Sequence, residues 1–319
     1  MMKFPIFIKK AISNHFEIFV LFTALILYIS IFYGLKLPMP LPDLGSAKFI
    51  FRHYLKPICI ILLLQICITI IIPKSNKIYQ NKKDYKDIIF LFLFFMVICF
   101  FHFSFKIWIP LINHNLFDTF YGKIDAFLHM DLIILLGKKL DVFYTARVFY
   151  HSLFVALFFI SFIYHFLFDN TYNFRKVVVG TALVLLLGAI CYWIAPAIGP
   201  FFLQDGNSYK FIEDFKPYQS HMLTLYSELV TSGIAPYGYF VNPPAAMPSL
   251  HIANSLFLFF MMKRSSFIIS IFYAIFIGYL SIIAVASGWH YFIDLIFGAL
   301  LAILCLKIID LVYPNTTYK

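Results

Sequence analysis

Two short stretches of the sequence carry residue types that can perform acid–base and nucleophilic chemistry. The first, "PSLH" at 248–251, places a serine hydroxyl and an imidazole directly before an apolar run. The second, "HYFID" at 290–294, places a histidine four residues before an aspartate, so that a helix would carry both on one face. A carboxylate that accepts from one imidazole nitrogen fixes the tautomer and leaves the other nitrogen as a nucleophile or base.

The two histidines together offer more chemistry than either one alone. If His290 attacks phosphorus, His251 can protonate the leaving oxygen. Ser249 would add a hydroxyl to the helix-start N–H groups, which lack intrahelical partners and favour an anion. Two structural interpretations remain open: Ser249 as a simple helix cap beside an interfacial His251, and His290–Asp294 as a pair that only fixes a loop.

The composition determines which elements must position these residues. The 319 residues are 62% hydrophobic and only 13% charged, with a mean hydropathy of +0.87. Several apolar runs exceed the ~18 residues that suggest a membrane span. We predict an all-α polytopic membrane protein with about eight transmembrane helices. The predicted spans are 16–36, 56–73, 88–109, 144–168, 176–196, 249–262, 266–286 and 290–312.

The positions of the basic residues predict the orientation of these helices. Lysines and arginines cluster at the N-terminus and in the loops near 74–86, 175–176 and 263–264, and such loops are typically cytoplasmic. Both termini are therefore expected in the cytoplasm, with the long loop 197–248 outside. The fifth span then ends, the sixth begins and the eighth begins at the outer face, so both motifs meet there.

The formal net charge of +10 does not indicate nucleic-acid binding, because the basic residues lie in short loops between apolar runs. We expect the bilayer and a phospholipid or lipid phosphate as partners, no nucleic acid, no cofactor and no metal site. The oligomeric state is left open. Richness in Phe, Ile and Lys favours a bacterial protein, and hence the inner membrane. The basic loops then place the site on the periplasmic side.

Two further features adjoin the outer face. The segment 110–143 is too polar to span and is predicted to lie at the interface as an amphipathic helix. Arg147, near the outer mouth of the fourth span, has two interpretations that remain equally open. Its guanidinium could clamp a phosphate bidentately, or it could be an interfacial arginine that reaches toward water.

The two motifs resemble those of the type 2 phosphatidic acid phosphatase superfamily. "PSLH" is similar to its second signature, usually Pro-Ser-Gly-His, and "GWHYFIDLIFG" at 288–298 is similar to its third. Leucine in place of glycine, together with "HYFID", looks more like the inositolphosphotransferase branch, which includes inositol phosphorylceramide synthases. The resemblance covers about 88–312, so we expect a six-helix catalytic core in 88–319 and two additional helices in 1–87.

The resemblance implies a role for each matching residue. His290 would be the nucleophile that forms a phosphohistidine, Asp294 would orient it, and His251 would be the general acid. We expect the phosphate to be bound by Ser249, Arg147 and Tyr192. No metal takes part in such a mechanism.

The sequence departs from the superfamily pattern where cations are expected. Tyr192 and Gly199 occupy the positions of the first signature's Lys and Arg, and Ala284 occupies that of the third signature's Arg. Because dianionic monoesters need strong cationic neutralisation, these departures favour a diester donor such as a phospholipid head group. Arg147, Lys210 or Lys216 are candidates for replacement charge.

The expected function is therefore a lipid phosphotransferase that moves a phosphate-containing head group from a phospholipid to a hydroxyl acceptor. A lipid phosphate phosphatase, with water as acceptor, is the alternative within the same resemblance. A transporter or channel would also explain polar residues in the membrane. However, transporter sites usually lie near the midplane, and no inverted repeat is evident. A catalytically inactive interaction protein is disfavoured by the intact His251, His290 and Asp294.

Overall fold

The computed structural model describes residues 16–52, 56–71, 73, 84–139, 142–203, 216–241 and 243–314. Within these residues the protein is all-helical, with thirteen α-helices and a short 3-10 helix at Pro200–Leu203. In chain order the α-helices are α1 Phe16–Gly34, α2 Leu44–Ile50, α3 Lys56–Ile71, α4 Tyr85–Ile107, α5 Ile109–Ile112, α6 Asp118–Phe127, α7 Asp131–Lys139, α8 Val142–Phe168, α9 Thr171–Ile194, α10 Lys216–Ser232, α11 Leu250–Ser265, α12 Phe267–Ala286 and α13 Phe292–Val312.

Eight of these helices coincide with the predicted spans, and the polytopic all-α class is confirmed. By length and composition, five described helices can cross a membrane: α1, α4, α9, α12 and α13. Helices α3, α8 and α11 correspond to the other three predicted spans. The protein is therefore an integral membrane protein. Most of the lysines in the loop near 74–86 that predicted its orientation lie outside the described residues.

Local signals in the sequence fix where several of these helices begin. The Asp84 carboxylate accepts from the backbone N–H of Lys86 at the start of α4. Asn170 does the same for Asn173 at the start of α9. Each cap satisfies one of the N–H groups that a helix start leaves without a partner. Helix α11 begins at Leu250, two residues after Pro248, which fits the poor tolerance of helix interiors for proline.

Helix α9 is the central helix of the bundle and is buried along most of its length. It packs against α4, α8, α11 and α13. Two glycines permit the close approach of α11. A Cβ at Gly180 would overlap the ring of Phe257, and one at Gly188 would overlap the side chain of Leu250. Small residues are the usual means of close helix contact in membranes, where burial from water supplies little driving force.

The first helix is attached to the bundle by buried polar contacts. Tyr313, which follows α13, donates its hydroxyl to Glu17 of α1 over 2.8 Å. Arg175 of α9 lies 3.3 Å from Glu17 and 3.3 Å from Asp87 of α4. Glu17 is almost fully buried, so its charge is stabilised by these partners rather than by water. The starts of α1, α4 and α9 and the end of α13 therefore lie at one end of the bundle.

The opposite end of the bundle carries three short helices that do not span it. The predicted amphipathic interfacial segment forms α6 and α7, separated by a turn in which His129 has a φ of 53°. Helix α10 lies within the long loop that follows α9. Its Gln219 donates to the backbone carbonyl of Ser287 over 2.9 Å, which attaches this loop to the end of α12.

Candidate functional site

The end of α9, the start of α11 and the start of α13 meet at the end of the bundle opposite Glu17. The backbone N–H of Ser249 donates to the carbonyl of Asp294 over 3.0 Å, so the two motifs are in direct contact. Gly288 ends α12 with a φ of 75°, as expected from its place in a tight turn. The chain then places His290 immediately before α13.

His290 is held by two acceptors on the same ring nitrogen. Its Nδ1 lies 3.0 Å from the carbonyl oxygen of Ala246 and 3.3 Å from Oδ2 of Asp294. The same carboxylate oxygen accepts from the backbone N–H of Tyr291 over 2.8 Å. Acceptors around Nδ1 favour the tautomer with the proton on that atom, which leaves the Nε2 lone pair for chemistry.

His251 lies beside His290 at the start of α11. The two ring centroids are 6.0 Å apart and the rings are nearly perpendicular. Tyr150 and Phe154 of α8 pack against the other sides of the His251 ring, with centroids 4.8 and 4.5 Å away. Helix α8 and the segment before α13 therefore fix the position of this imidazole. One phosphoryl group placed between the two rings could contact both.

Two oxygens in this cluster are buried without a described hydrogen-bond partner. They are Oγ of Ser249 and Oδ1 of Asp294, and neither residue is measurably exposed. A buried polar atom without a partner costs roughly 1–3 kcal/mol. Such atoms are expected where a ligand completes the hydrogen bonding, and Ser249 is the serine that the sequence suggested for phosphate.

Tyr192 is buried where α9 meets the PSLH segment at 248–251, which we call the serine motif, and its hydroxyl interacts with the backbone N–H of Leu250. The leucine that replaces the expected glycine fills the space beside Gly188, a residue with no side chain. Arg147 lies within α8, but its side chain is outside the described part of the structure, as are Lys210 and the side chain of Lys216. A phosphate role for Arg147 and Tyr192 stays a prediction.

Gly199 explains one departure from the superfamily pattern. It has a φ of 129°, and an added Cβ would lie 2.7 Å from the carbonyl oxygen of Trp289. Side chains rarely adopt this backbone conformation. Arginine at this position would therefore be strained as well as crowded.

The contact between the two motifs predicts the effect of a single methyl group. A Cβ at Gly298 of α13 would lie 2.5 Å from the carbonyl oxygen of Ser249, a backbone atom that cannot rotate away. We expect Gly298→Ala to lower the free energy of unfolding by about 1–3 kcal/mol, the usual cost of overpacking. Thermal unfolding of the purified protein in detergent measures this.

Gly278→Ala is the matched control, because a Cβ there meets nothing within 4 Å. Both substitutions add one methyl group to a long helix, and α12 should gain slightly from the better helix former. If the two variants unfold at the same temperature, the close approach of α11 and α13 does not limit stability.

Lys106, in the last turn of α4, was not singled out from the sequence. Its ammonium nitrogen lies 5.7 Å from the ring centroid of Tyr192. No carboxylate pairs with it among the residues that the structure describes. An ionisable residue in an apolar helix is a functional candidate by default, and that signal was present in the sequence.

Asp118 and Asp125 of α6 are two further carboxylates near the site, and both are almost fully buried. Burial raises the pKa of Asp118, and hydrogen bonds from Gly199, Ile198 and Tyr291 oppose that rise. Burial also raises the pKa of Asp125 to about 6, with the negative charge of Asp294 adding to the shift and the Phe292 N–H opposing it. No signature includes these residues, and the mixed polarity of their segment concealed them.

Within the described ranges, no group of three or more histidines, cysteines and carboxylates is arranged to hold a metal ion. The described geometry is thus one of paired imidazoles, a carboxylate, a serine hydroxyl and a nearby ammonium. It can support nucleophilic attack, proton transfer and binding of an anion.

Fold and site together define a polytopic helical membrane protein with a histidine–aspartate site at one end of its bundle. Residues 123–308, more than half of the chain, match the model of the PAP2 superfamily, and the chain belongs to that superfamily. Comparisons with curated proteins and with solved structures gave no match. The matched range contains both motifs and Asp125, whereas Asp118 and Lys106 precede it.

Proposed function

We propose that this protein is a lipid phosphotransferase that uses a phosphohistidine intermediate at the outer face of the membrane. Its donor is a phospholipid and its acceptor a hydroxyl group. The observation that carries the proposal is the approach of His251 to His290, 6.0 Å between ring centroids, with Asp294 beside Nδ1 of His290.

The first half-reaction forms a P–N bond and breaks a P–O bond. Nε2 of His290 attacks the donor's phosphorus while Asp294 stabilises the positive charge that develops on the imidazole. The bond to the diacylglycerol oxygen breaks, and His251 in its protonated form donates a proton to that oxygen. The phosphate and its head group then remain on His290.

The second half-reaction reverses these roles. His251, now neutral, accepts the proton of the incoming hydroxyl, and the hydroxyl oxygen attacks phosphorus. The P–N bond breaks, His290 is restored, and the head group leaves on the acceptor. If the donor is a lipid phosphate and water replaces the hydroxyl compound, the same steps release free phosphate and describe a phosphatase, which is the alternative within this proposal.

Ser249 and Lys106 are the proposed phosphate-binding groups among the described residues. The Ser249 hydroxyl is buried without a described partner and can donate to a phosphate oxygen. Lys106 supplies positive charge near Tyr192. A single described ammonium suits a monoanionic diester better than a dianionic monoester, and this favours transfer of a head group.

The leucine of the serine motif supports the inositolphosphotransferase-like branch of the superfamily. Leu250 packs into space left free by Gly188, so this substitution is built into the contact between α9 and α11. The basic loops favour the extracytoplasmic side for the site, in a bacterial inner membrane.

The direct test is turnover of labelled lipids by the purified protein. Phospholipids labelled in the head-group phosphate would be incubated with and without an added hydroxyl acceptor, alongside labelled phosphatidic acid. We expect the label to move to the acceptor, whereas release of free phosphate or of a phosphorylated head group into water would establish the hydrolase alternative. No turnover of any of these lipids would contradict both.

Lys106 gives a prediction that separates phosphate binding from chemistry. We expect Lys106→Met to raise the KM for an anionic lipid by about tenfold or more, because a charge-assisted hydrogen bond contributes roughly 1.5–3 kcal/mol. Steady-state kinetics in mixed micelles measures it.

Lys123→Met is the matched control for that experiment. Lys123 lies on α6 with an exposed side chain, so its removal takes away the same charge from the same side of the protein. If both variants raise KM equally, Lys106 acts only through the general surface charge and does not bind the phosphate.

A further inference from the structure

We propose that helix α6 is the positioning element of the active site, with Asp118 and Asp125 fixing the loop after α9 and the segment at the start of α13 that carries His290. This inference deepens the proposed function and rests on it for its kinetic consequence. The contacts themselves are independent of which lipid is the substrate.

Asp118 connects two segments that are distant in the sequence. Its Oδ1 accepts from the backbone N–H of Gly199 over 2.8 Å, and both of its oxygens accept from that of Ile198 at 3.0–3.1 Å. The same Oδ1 accepts from the hydroxyl of Tyr291 over 3.0 Å. Tyr291 directly follows His290, so one carboxylate links the loop after α9 to the residue beside the proposed nucleophile.

Asp125 fixes the start of α13. Both of its oxygens accept from the backbone N–H of Phe292, at 3.1 and 2.9 Å. Phe292 is the first residue of the helix that carries Asp294 two positions later. A carboxylate at a helix N-terminus satisfies an otherwise unpaired N–H and interacts favourably with the helix dipole. Asp125 therefore fixes the end of α13 from which Asp294 contacts His290.

The spacing of residues on α6 makes the helix a suitable connector. Asp118, Tyr121 and Asp125 are separated by three and four positions and share one face. The ring of Tyr121 packs against that of Tyr291 with centroids 5.8 Å apart, and its hydroxyl donates to the carbonyl of Ala195 over 3.4 Å. Each of these contacts lies in the loop after α9 or at the start of α13.

The electrostatic environment of the two carboxylates indicates a positional role. In the described structure neither forms an ion pair, and their hydrogen bonds come from backbone N–H groups and one phenol. A buried carboxylate is costly unless several donors surround it in a good geometry. The backbone N–H groups and the phenol that surround these carboxylates must therefore stay in place. Because both carboxylates lie on α6, this helix couples the loop after α9 to the start of α13.

The kinetic consequence follows from where the fixed residues act. Displacing His290 and Asp294 by a fraction of an ångström weakens in-line attack, and an error of about 1 Å can cost about 100-fold in rate. Neither carboxylate contacts Ser249 or Lys106, the residues proposed to bind the phosphate. We therefore expect Asp118→Asn and Asp125→Asn to lower kcat by about tenfold or more each while KM changes little.

The experiment combines kinetics with hydrogen–deuterium exchange on the full-length protein in detergent. We expect Asp118→Asn to accelerate exchange at the amides of 198–199, and Asp125→Asn at 292. Glu228→Gln, an exposed carboxylate on α10 of the outer loop, is the matched control and should change neither kcat nor exchange. Asp118→Glu tests rescue, and we expect it to restore part of kcat.

The outcomes distinguish this inference from the proposed function. If the wild-type protein turns over no lipid, the proposed function fails, and the exchange data alone then decide whether α6 fixes both loops. If kcat of the folded Asn variants equals that of the wild type, or exchange at 198–199 and 292 is unchanged, α6 is not the positioning element. A variant that fails to fold is replaced by Tyr291→Phe, which removes one bond of Asp118 and should lower kcat by a smaller factor.

Discussion

His290→Ala is expected to lower turnover of the lipid donor by at least about 10⁴-fold, as removal of a nucleophile does in other enzymes that form covalent intermediates. The reason is geometric. Nδ1 of His290 is occupied by the Ala246 carbonyl and by Asp294, so Nε2 is the nitrogen left for attack.

The measurement should detect the intermediate as well as the rate. Brief incubation with a donor labelled in its phosphate, followed by quenching in base, should trap a labelled protein, because phosphohistidine is stable in base and labile in acid. We expect the label in the wild type and none in His290→Ala. His221→Ala, which removes an exposed histidine from α10, is the control and should keep both label and turnover.

Two results would count against this assignment. Turnover by folded His290→Ala at a rate close to that of the wild type would exclude His290 as the nucleophile. Label that survives in His290→Ala at another residue would move the covalent step elsewhere. If Asp294 acts through His290 as proposed, Asp294→Asn should add little to the loss in a double variant, because residues that act as a unit are not additive.

His251→Asn is expected to show the second-largest loss, about 10²–10⁴-fold in the first half-reaction, the usual contribution of a general acid. Asparagine keeps a polar side chain of similar reach between Tyr150 and Phe154 but carries no titrating proton. The loss should depend on the leaving group. Diacylglycerol leaves as a poor alkoxide that needs a proton, whereas a nitrophenolate leaves without one.

Comparing the two leaving groups tests the role directly. We expect His251→Asn to lose most of its activity on the phospholipid but far less on a nitrophenyl diester of the same head group. If His251 acts only as a proton donor, His251→Phe should lose as much activity on each donor as His251→Asn. An equal loss with both donors would assign His251 to binding or packing rather than to proton transfer.

The positions of the spans and of the two motifs could be predicted because each depends on local sequence. Apolar length defines a span, Pro248 limits where α11 can begin, and the spacing of His290 and Asp294 is a property of one helix. The meeting of the motifs follows from the alternation of loops across the membrane. These features need no knowledge of which side chains touch.

The residues that the sequence did not reveal depend on contacts between distant segments. Asp118 bonds a residue 81 positions later, and Asp125 bonds one 167 positions later. The sequence marks Lys106 as an ionisable residue in an apolar helix, but only the structure places it beside the ring of Tyr192. Leu250 of the serine motif can likewise be explained only from the structure, because it packs against Gly188 of another helix. A contact between residues that are far apart in the chain produces no periodic pattern in a single sequence.

The attachment of α1 bears on what the smallest functional unit of this protein can be. A chain that began at residue 88 would lose Glu17 and Asp87 together, and these are the two carboxylates that flank Arg175. The guanidinium and the Tyr313 phenol would then both lack their acidic partners. The buried carboxylate of α1 therefore completes a charge network at this end of the bundle, and we expect a chain without α1 to be less stable.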